Sequence, residues 1–466
     1  MRTQPFKRVL DARMIMSVVA TGLMSLVGIC AETATNIVFP VLMNEFSVPT
    51  STVQWLTTLY LLVLAVMIPA SAWLKKRFMT KHLFAVAVSF FIIGTIICAM
   101  APSFWILLAA RVLQGMGTGI ALPMMFNIII EQVPHQHTGL VMGIASLTIG
   151  LGPAIGPFWG GLMQSLFGWR MIFLSLLPLL ALAALLGLTT IRQSSELVKE
   201  GFDVAGYIAL SICFICLIYA LSNISTLGLT SPLFWFLIAL ALLFLWLFVR
   251  HSAKTSEPLL NLSIIKLPCF SACLAALLIL QFIILARSFL IPNFMQLSNG
   301  ADAFTAGYLM MPACILCACL SPFAGRFYDK MGPKLPISFG FSVLYLALIL
   351  EMLFMTRVSN MTIMLICLVY SFGQAFASNL TTFALKNLPP ERYSDGTAII
   401  NTLQQLFAAM GTAVVSTLVA MGQASQPNNL ALGTAIGVQW SLILHAIIGF
   451  VMVVLVLRAL FIGKNK

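Results

Sequence analysis

The stretch GIASLTIGLGPAIGPFWGGLM, residues 143–163, holds no charged side chain. A hydrocarbon core of roughly 30 Å is crossed by about twenty apolar residues in a helix, so this segment is long enough to span a bilayer. Gly143, Gly150, Gly152, Gly156, Gly160 and Gly161 recur through it, with Pro153 and Pro157 interposed. Small residues spaced i, i+4 let membrane helices approach closely. Proline removes backbone hydrogen bonds and bends a helix, which a membrane tolerates where neighbours compensate. A bent, smooth helix makes a tight seam on which two half-molecules can rock. Helix dimerisation is the plainer reading of the same glycines.

The surrounding sequence has the same character. The chain of 466 residues is 61% hydrophobic and 8% charged, with a mean hydropathy of +1.03. A soluble domain carries roughly 25% charged residues, so this chain lacks the polar surface to dissolve in water. Apolar runs predict fourteen helices, at roughly 14–38, 52–73, 82–101, 103–130, 139–164, 169–190, 204–222, 232–250, 268–295, 303–324, 334–355, 360–385, 394–421 and 436–460. The expected fold is therefore all-α and integral to the membrane. The first run follows Arg8 and Arg13 as a signal peptide would, but it is too long and reaches Glu32 and Pro40 without a small-residue cleavage site, so it reads as a retained helix.

The net charge of +12 is topological. With the N-terminus inside, about 21 Lys and Arg fall in cytoplasmic segments, including Lys75, Lys76, Arg77, Lys199, Lys254, Arg326, Lys330, Lys386, Lys464 and Lys466. Only Arg170 and Arg357 fall on the opposite side, while Arg111 and Arg287 lie inside helices. This bias places both termini in the cytoplasm and removes nucleic acid as a partner. The ten cysteines lie in apolar stretches, and the C-x-x-C pairs Cys213/Cys216 and Cys314/Cys317 have no flanking His or acid. They read as packing residues, so neither a metal nor a cofactor is expected.

Two loops resemble each other: SAWLKKRFMTKH (71–82) after the second helix and SPFAGRFYDKMGPK (321–334) after the tenth. Their equivalent positions predict an N-terminal six-helix bundle (1–192), an inserted helix pair with its linkers (193–267) and a C-terminal six-helix bundle (268–466). Related halves around a central substrate site are a common transporter plan.

A charge at the bilayer centre costs about 2.5–3.5 kcal/mol or more. Glu32 lies in the first helix, in CAETATNIVFP (30–40), and Arg111 in the fourth. At 1.5 Å rise per residue, both sit about 12 Å below the same face. One reading makes Glu32 a proton-exchanging, cation-sensing carboxylate tuned by Arg111; a proton and a cationic substrate then compete for one site, the minimum device for antiport. The other is a static ion pair that fixes helix packing. Arg287 and Glu351 are also apolar-flanked, about 12 Å and 6 Å below the outer face. They either pair or snorkel separately to the headgroups, with the second favoured. Tyr60, Asn127, Asn293, Tyr370 and Asn379 are candidates for cavity hydrogen bonds. No G-x-x-x-x-G-K-[ST] stretch is present, so the energy comes from an ion gradient. No catalytic constellation appears in the helices, which argues against an enzyme.

At this point the motifs reach a family. The whole chain resembles the fourteen-helix drug:proton antiporters of the major facilitator superfamily. RVLQGMGTG (111–119) resembles the family's helix-4 signature, whose arginine is implicated in proton transfer. The resemblance gives that role to Arg111 and the framework to Gln114, Gly115 and Gly119. GLGPAIGPFWGG (150–161) matches the helix-5 antiporter signature through Gly152, Pro153, Gly156, Pro157, Gly160 and Gly161. GRFYDKMGPK (325–334) is similar to the gating-loop signature, with Gly325, Asp329 and Gly332; WRMIF (169–173) and EPLL (257–260) also fit.

The chain departs from the pattern in two places. The family's helix-1 acid aligns with Ala31, and here the acid is Glu32, one residue and about 100° further round the helix. In the first loop Lys76 stands where the family has Asp, so Glu131 is expected to pair with Lys76 or Arg77 instead. His135 and His137, in the loop after the fourth helix, read as solvated, with pH sensing as the alternative. The resemblance implies a monomeric, proton-coupled antiporter in a bacterial cell membrane. It would export lipophilic, cationic drugs by alternating access, with small molecules and protons as its partners and the bilayer as its solvent. The alternative is a proton-linked exporter of a physiological solute such as a lipid, siderophore or metabolite.

Overall fold

A computed structural model describes residues 11–193, 197, 201–228, 230–255, 258–389 and 392–463. Arg2, Lys7, Arg8, Lys199, Glu257, Lys464 and Lys466 lie outside the described residues, as do the side chains of His135 and His137. The described residues form helices and no strand. The first six spans are built from α1 (Ala12–Ile37), α2 (Phe39–Phe46), α3 (Thr50–Val53), α4 (Trp55–Arg77), α5 (Thr80–Met100), α6 (Phe104–Gln132), α7 (His135–Phe167), α8 (Arg170–Leu174) and α9 (Leu177–Thr190). Then come α10 (Val204–Ser222), α11 (Ile224–Leu227) and α12 (Pro232–Ser252). The remaining spans use α13 (Pro268–Leu297), α14 (Ala303–Met331), α15 (Lys334–Phe354), α16 (Asn360–Ala377), α17 (Asn379–Lys386), α18 (Tyr393–Ser425) and α19 (Leu430–Ile462).

By length and composition, 13 described segments are able to cross a membrane. The 33-residue α7, which carries the glycine–proline stretch, brings the total to the expected fourteen. Several boundaries differ from the sequence reading, and two of the differences have a plain cause. Pro40 opens α2 instead of closing α1, because proline is tolerated in the first helical turn, where its missing N–H has no partner to lose. The tenth span runs on to Met331, since nothing in GRFYDKM stops a helix; Gly332 then ends it at a φ of 76°. The outward face of α12 shows Trp235, Phe236, Leu242 and Trp246 more than half exposed, as befits a helix solvated by lipid.

Packing follows one scheme twice. Helix α1 packs on α7 and α9, α4 on α6, and α5 on α6 and α9. In the same way α13 packs on α18 and α19, α14 on α16, and α15 on α16 and α19. The two sets meet where α7 runs along α14 and α4 along α18, and α10 lies against both α4 and α18.

Glycine sets the approach of α7. A Cβ on Gly152 would stand 2.6 Å from the Ile29 side chain, and one on Gly160 would stand 2.7 Å from the Ala34 carbonyl. Gly156 lies between them against Thr33 and the Cys30 carbonyl. These three glycines, four residues apart, bury one stripe of α7 against α1. Gly161 faces α14, where a Cβ would lie 2.5 Å from the Ala303 carbonyl, and Gly307 of α14 presses on the Pro157 carbonyl in return. The seam is thus a helix–helix joint within the chain.

Beyond the seam, where α1 and α13 end, the two sets are tied by neutral hydrogen bonds. Thr50 Oγ1 donates to Gln423 Oε1 at 2.8 Å, and Ser416 donates to Gln54. Asn36 Nδ2 donates to Ser288 Oγ at 3.2 Å, and Gln296 Nε2 to the Ile37 carbonyl at 2.9 Å.

Candidate functional site

The first charged cluster is built from α1, α4 and α6. Glu32 is buried, 5% exposed, on the stretch of α1 that α7 grips. Its neighbours Thr33 and Thr35 bond back to the helix carbonyls of Ile29 and Ala31, so they give it nothing. Among the described residues the Glu32 carboxylate accepts no hydrogen bond and forms no ion pair. Arg111 is completely buried and near enough to act on Glu32 electrostatically, yet it is held by neutral partners. Its Nε donates to the Leu56 carbonyl at 3.0 Å and its Nη1 to Gln114 Oε1 at 2.8 Å, while Nη2 has no partner among the described residues.

Gln114 is fixed in turn by donating to Thr95 Oγ1 of α5 at 2.9 Å. The Arg111 guanidinium lies over the Tyr60 ring, 4.4 Å from its centroid, a favourable cation–π contact. The Tyr60 hydroxyl has its one proton within reach of two acceptors, the Gly28 carbonyl (3.1 Å) and Thr118 Oγ1 (2.9 Å). Gly115 and Gly119 allow this geometry: Cβ atoms there would meet Val63 at 3.0 Å and Met67 at 2.6 Å on α4. The static ion pair that the shared depth allowed is not formed.

The second cluster contradicts the favoured snorkelling reading. Arg287 Nε donates to both Glu351 carboxylate oxygens, at 3.1 and 3.0 Å, and Nη2 completes the ion pair. The estimated depths differed by less than an arginine reaches, and both residues face inward, leaving no route to the headgroups. The guanidinium also covers the Tyr370 ring, 3.4 Å from its centroid, and Nη2 meets Cys367 Sγ at 3.6 Å.

Arg287 borders a cavity of about 180 Å³ between α7, α13, α14 and α16. Pro153 and Pro157 form its α7 side, and Ser288, Cys314, Cys317, Tyr370, Ser371 and Gln374 face them. Neither Glu32 nor Arg111 lines it, and no carboxylate stands in its wall.

The remaining expected residues are placed as follows. Glu131 pairs with Lys75, the residue before the expected Lys76 and Arg77. The stripe of α4 that packs on α6 runs through Leu64 and Met67, and Lys75 extends it, whereas Lys76 is turned about 100° away. Gly325 has open space around it, Asp329 is exposed, and Gly332 supplies the positive φ that ends α14. Asn379 Nδ2 donates to the Ala324 carbonyl at 3.1 Å, tying α17 to α14. Asn293 Nδ2 bonds back to Phe289, leaving its buried Oδ1 without a partner among the described residues. Asn127 is half-buried on α6.

Sequence reasoning missed Gln54, Ser416, Ser288 and His445. The first three are single neutral polar residues, whose pairing depends on which helices meet. His445 is fully buried beside Phe282, both ring nitrogens lacking partners among the described residues. Outside the spans, Asp203 joins the two linkers. Its carboxyl is held below its usual range: burial opposes this, but hydrogen bonds from the Gly206 amide, the His251 ring and the Leu259 amide outweigh it.

Comparison with known proteins agrees with this architecture. The sequence model of the Major Facilitator Superfamily matches residues 21–412. Lincomycin resistance protein LmrB of Listeria monocytogenes is 36% identical over 412 residues, covering 87% of each chain. The Bacillus subtilis protein of the same name is 36% identical over 401 residues, covering 85% of this chain and 84% of its own. Multidrug resistance protein Stp of Mycobacterium tuberculosis is 25% identical over 411 residues, with coverage of 87% and 76%. In fold, the chain is similar to the inward-facing, unoccupied crystal structure of a bacterial homologue of the human lysosomal transporter Spinster. That match has a TM-score of 0.68 at 15% identity and covers 98% of this chain and 99% of the other.

Proposed function

The chain belongs to the major facilitator superfamily, and from that premise we propose that it is a proton-coupled antiporter expelling lipophilic, drug-like compounds by alternating access. It is a multi-span membrane transporter with bacterial relatives, and not an enzyme. Relatives named for resistance to lincomycin and to multiple drugs support a drug-like cargo. In this reading, residues 1–192 and 268–466 are two six-helix halves that rock on the α7 seam, with 193–267 inserted at their side. The basic loops and both termini face the cytoplasm, and a single chain suffices. Lys75, Lys76, Arg77, Glu131 and the end of α14 from Gly325 to Gly332 gate the cytoplasmic end.

One observation carries the coupling: the buried carboxylate of Glu32 has no bonded partner among the described residues. An unpaired ionised carboxylate is expensive to keep out of water, so Glu32 is suited to taking and releasing a proton. It sits on α1, which α7 grips within the N-terminal half, so each proton gained or lost changes the charge beside the helix that also forms the joint with α14. Arg111, held by Leu56 and Gln114, is the fixed counter-charge of that step. A cationic cargo, as the sequence leads one to expect, meets its counter-charge at Glu32 and not in the cavity beside Arg287, whose lining residues include no carboxylate.

A susceptibility panel in a pump-deficient bacterial host tests the reading. Expression raises tolerance to lincomycin and other lipophilic drugs, and an uncoupler abolishes the gain. Unchanged tolerance to the whole panel moves the cargo to a physiological solute, and tolerance that survives the uncoupler rejects proton coupling.

A further inference from the structure

The cavity beside Arg287 has a chemical polarity of its own. Among the described residues its only charged lining residue is Arg287, whose charge is balanced by Glu351 standing behind the wall. The pair uses Nε and Nη2 of the guanidinium, and Nη1 bonds to nothing among the described residues. Next to it α16 presents Tyr370, Ser371 and Gln374 at positions i, i+1 and i+4 of one helix face. The Tyr370 hydroxyl, on a residue 1% exposed, has no partner among the described residues, and the side chains of Ser371 and Gln374 likewise form no hydrogen bond. Across the cavity the wall is apolar, with Ile291, Met310 and Ala313.

We propose that Arg287, Tyr370, Ser371 and Gln374 form a subsite for the uncharged, oxygen-bearing end of an amphiphilic cargo, whose apolar end rests on Ile291 and Met310. This deepens the export reading and rests on it. A guanidinium N–H donates and never accepts, so it calls for a carbonyl, hydroxyl or ether oxygen on the cargo. Buried polar groups left unpaired are costly, and a cargo that pairs them recovers that cost on binding. The net charge of the wall is zero once Glu351 is counted, so neither a cation nor an anion finds a counter-charge there. Positive charge on the cargo is therefore not a requirement for binding.

Equilibrium radioligand binding to the purified full-length protein tests the proposal. Binding requires neither a gradient nor Glu32, so a failure here is separate from a failure of proton coupling. The probes are chloramphenicol, which is neutral and rich in hydroxyl and amide oxygen, and the permanent cation tetraphenylphosphonium. Chloramphenicol binds the wild type more tightly, and Tyr370→Phe and Gln374→Leu each weaken it about three- to tenfold, the worth of one hydrogen bond. Neither substitution alters tetraphenylphosphonium binding. Gln374→Glu, which puts a carboxylate in the wall, strengthens tetraphenylphosphonium binding and weakens chloramphenicol binding; that reversal is not available to a variant that merely misfolds. Three results overturn the proposal: no chloramphenicol binding to folded wild-type protein, wild-type chloramphenicol affinity in both neutral variants, or tetraphenylphosphonium displacing chloramphenicol from the wild type at comparable concentration.

Discussion

Two arginines are buried among the described residues, and their surroundings differ in kind. Arg287 closes on Glu351 with a two-oxygen ion pair and covers Tyr370, so its charge is cancelled where it stands. Arg111 covers Tyr60 in a similar way, but it is held by a carbonyl and an amide, and the nearby acid Glu32 is left without a bond. The same residue types thus serve two ends. A closed pair fixes the wall of a cavity, and an open acid remains available for proton exchange. The lesson is that a buried charge points to mobile chemistry only when its complement is engaged elsewhere.

The largest expected effect separates the two acids by stability. Glu351→Gln strands a buried guanidinium and costs about 3–5 kcal/mol, whereas replacing both partners, Arg287→Met with Glu351→Leu, restores most of the loss. Glu32→Gln breaks no bond and leaves the melting temperature of the purified protein at or above the wild-type value. A Glu32→Gln protein as unstable as Glu351→Gln would erase the contrast. A smaller effect is expected at the joint beside Glu32. Gly156→Leu forces a side chain onto Thr33 and the Cys30 carbonyl, at a cost of about 1–3 kcal/mol. It spreads α1 from α7, so transport falls further than stability does, while the equivalent change at the open Gly325 leaves stability unchanged.

Much of this was legible in the sequence, and what was hidden has a common cause. The α7 seam could be read because glycine spacing reports directly on which stripe of a helix has no side chains. The depth of Glu32 and Arg111 could be read because a helix rises by a constant amount per residue. Azimuth and partner could not. Lys75, which the sequence reading passed over, pairs with Glu131 because one residue turns the helix face by about 100°. Arg287 and Glu351 pair because α13 and α15 bring them together, a fact of tertiary packing that apolar flanks do not encode. The hydrogen bonds of Gln54, Asn36 and Gln296 across the two helix sets were hidden for the same reason.

Uphill transport in proteoliposomes under an imposed pH gradient asks whether Glu32 carries the coupling proton. Wild-type protein should accumulate drug against its concentration gradient and stop when an uncoupler is added. Glu32→Gln should carry drug only downhill, at a rate indifferent to the pH difference. Uphill accumulation by Glu32→Gln at the wild-type rate would contradict the account.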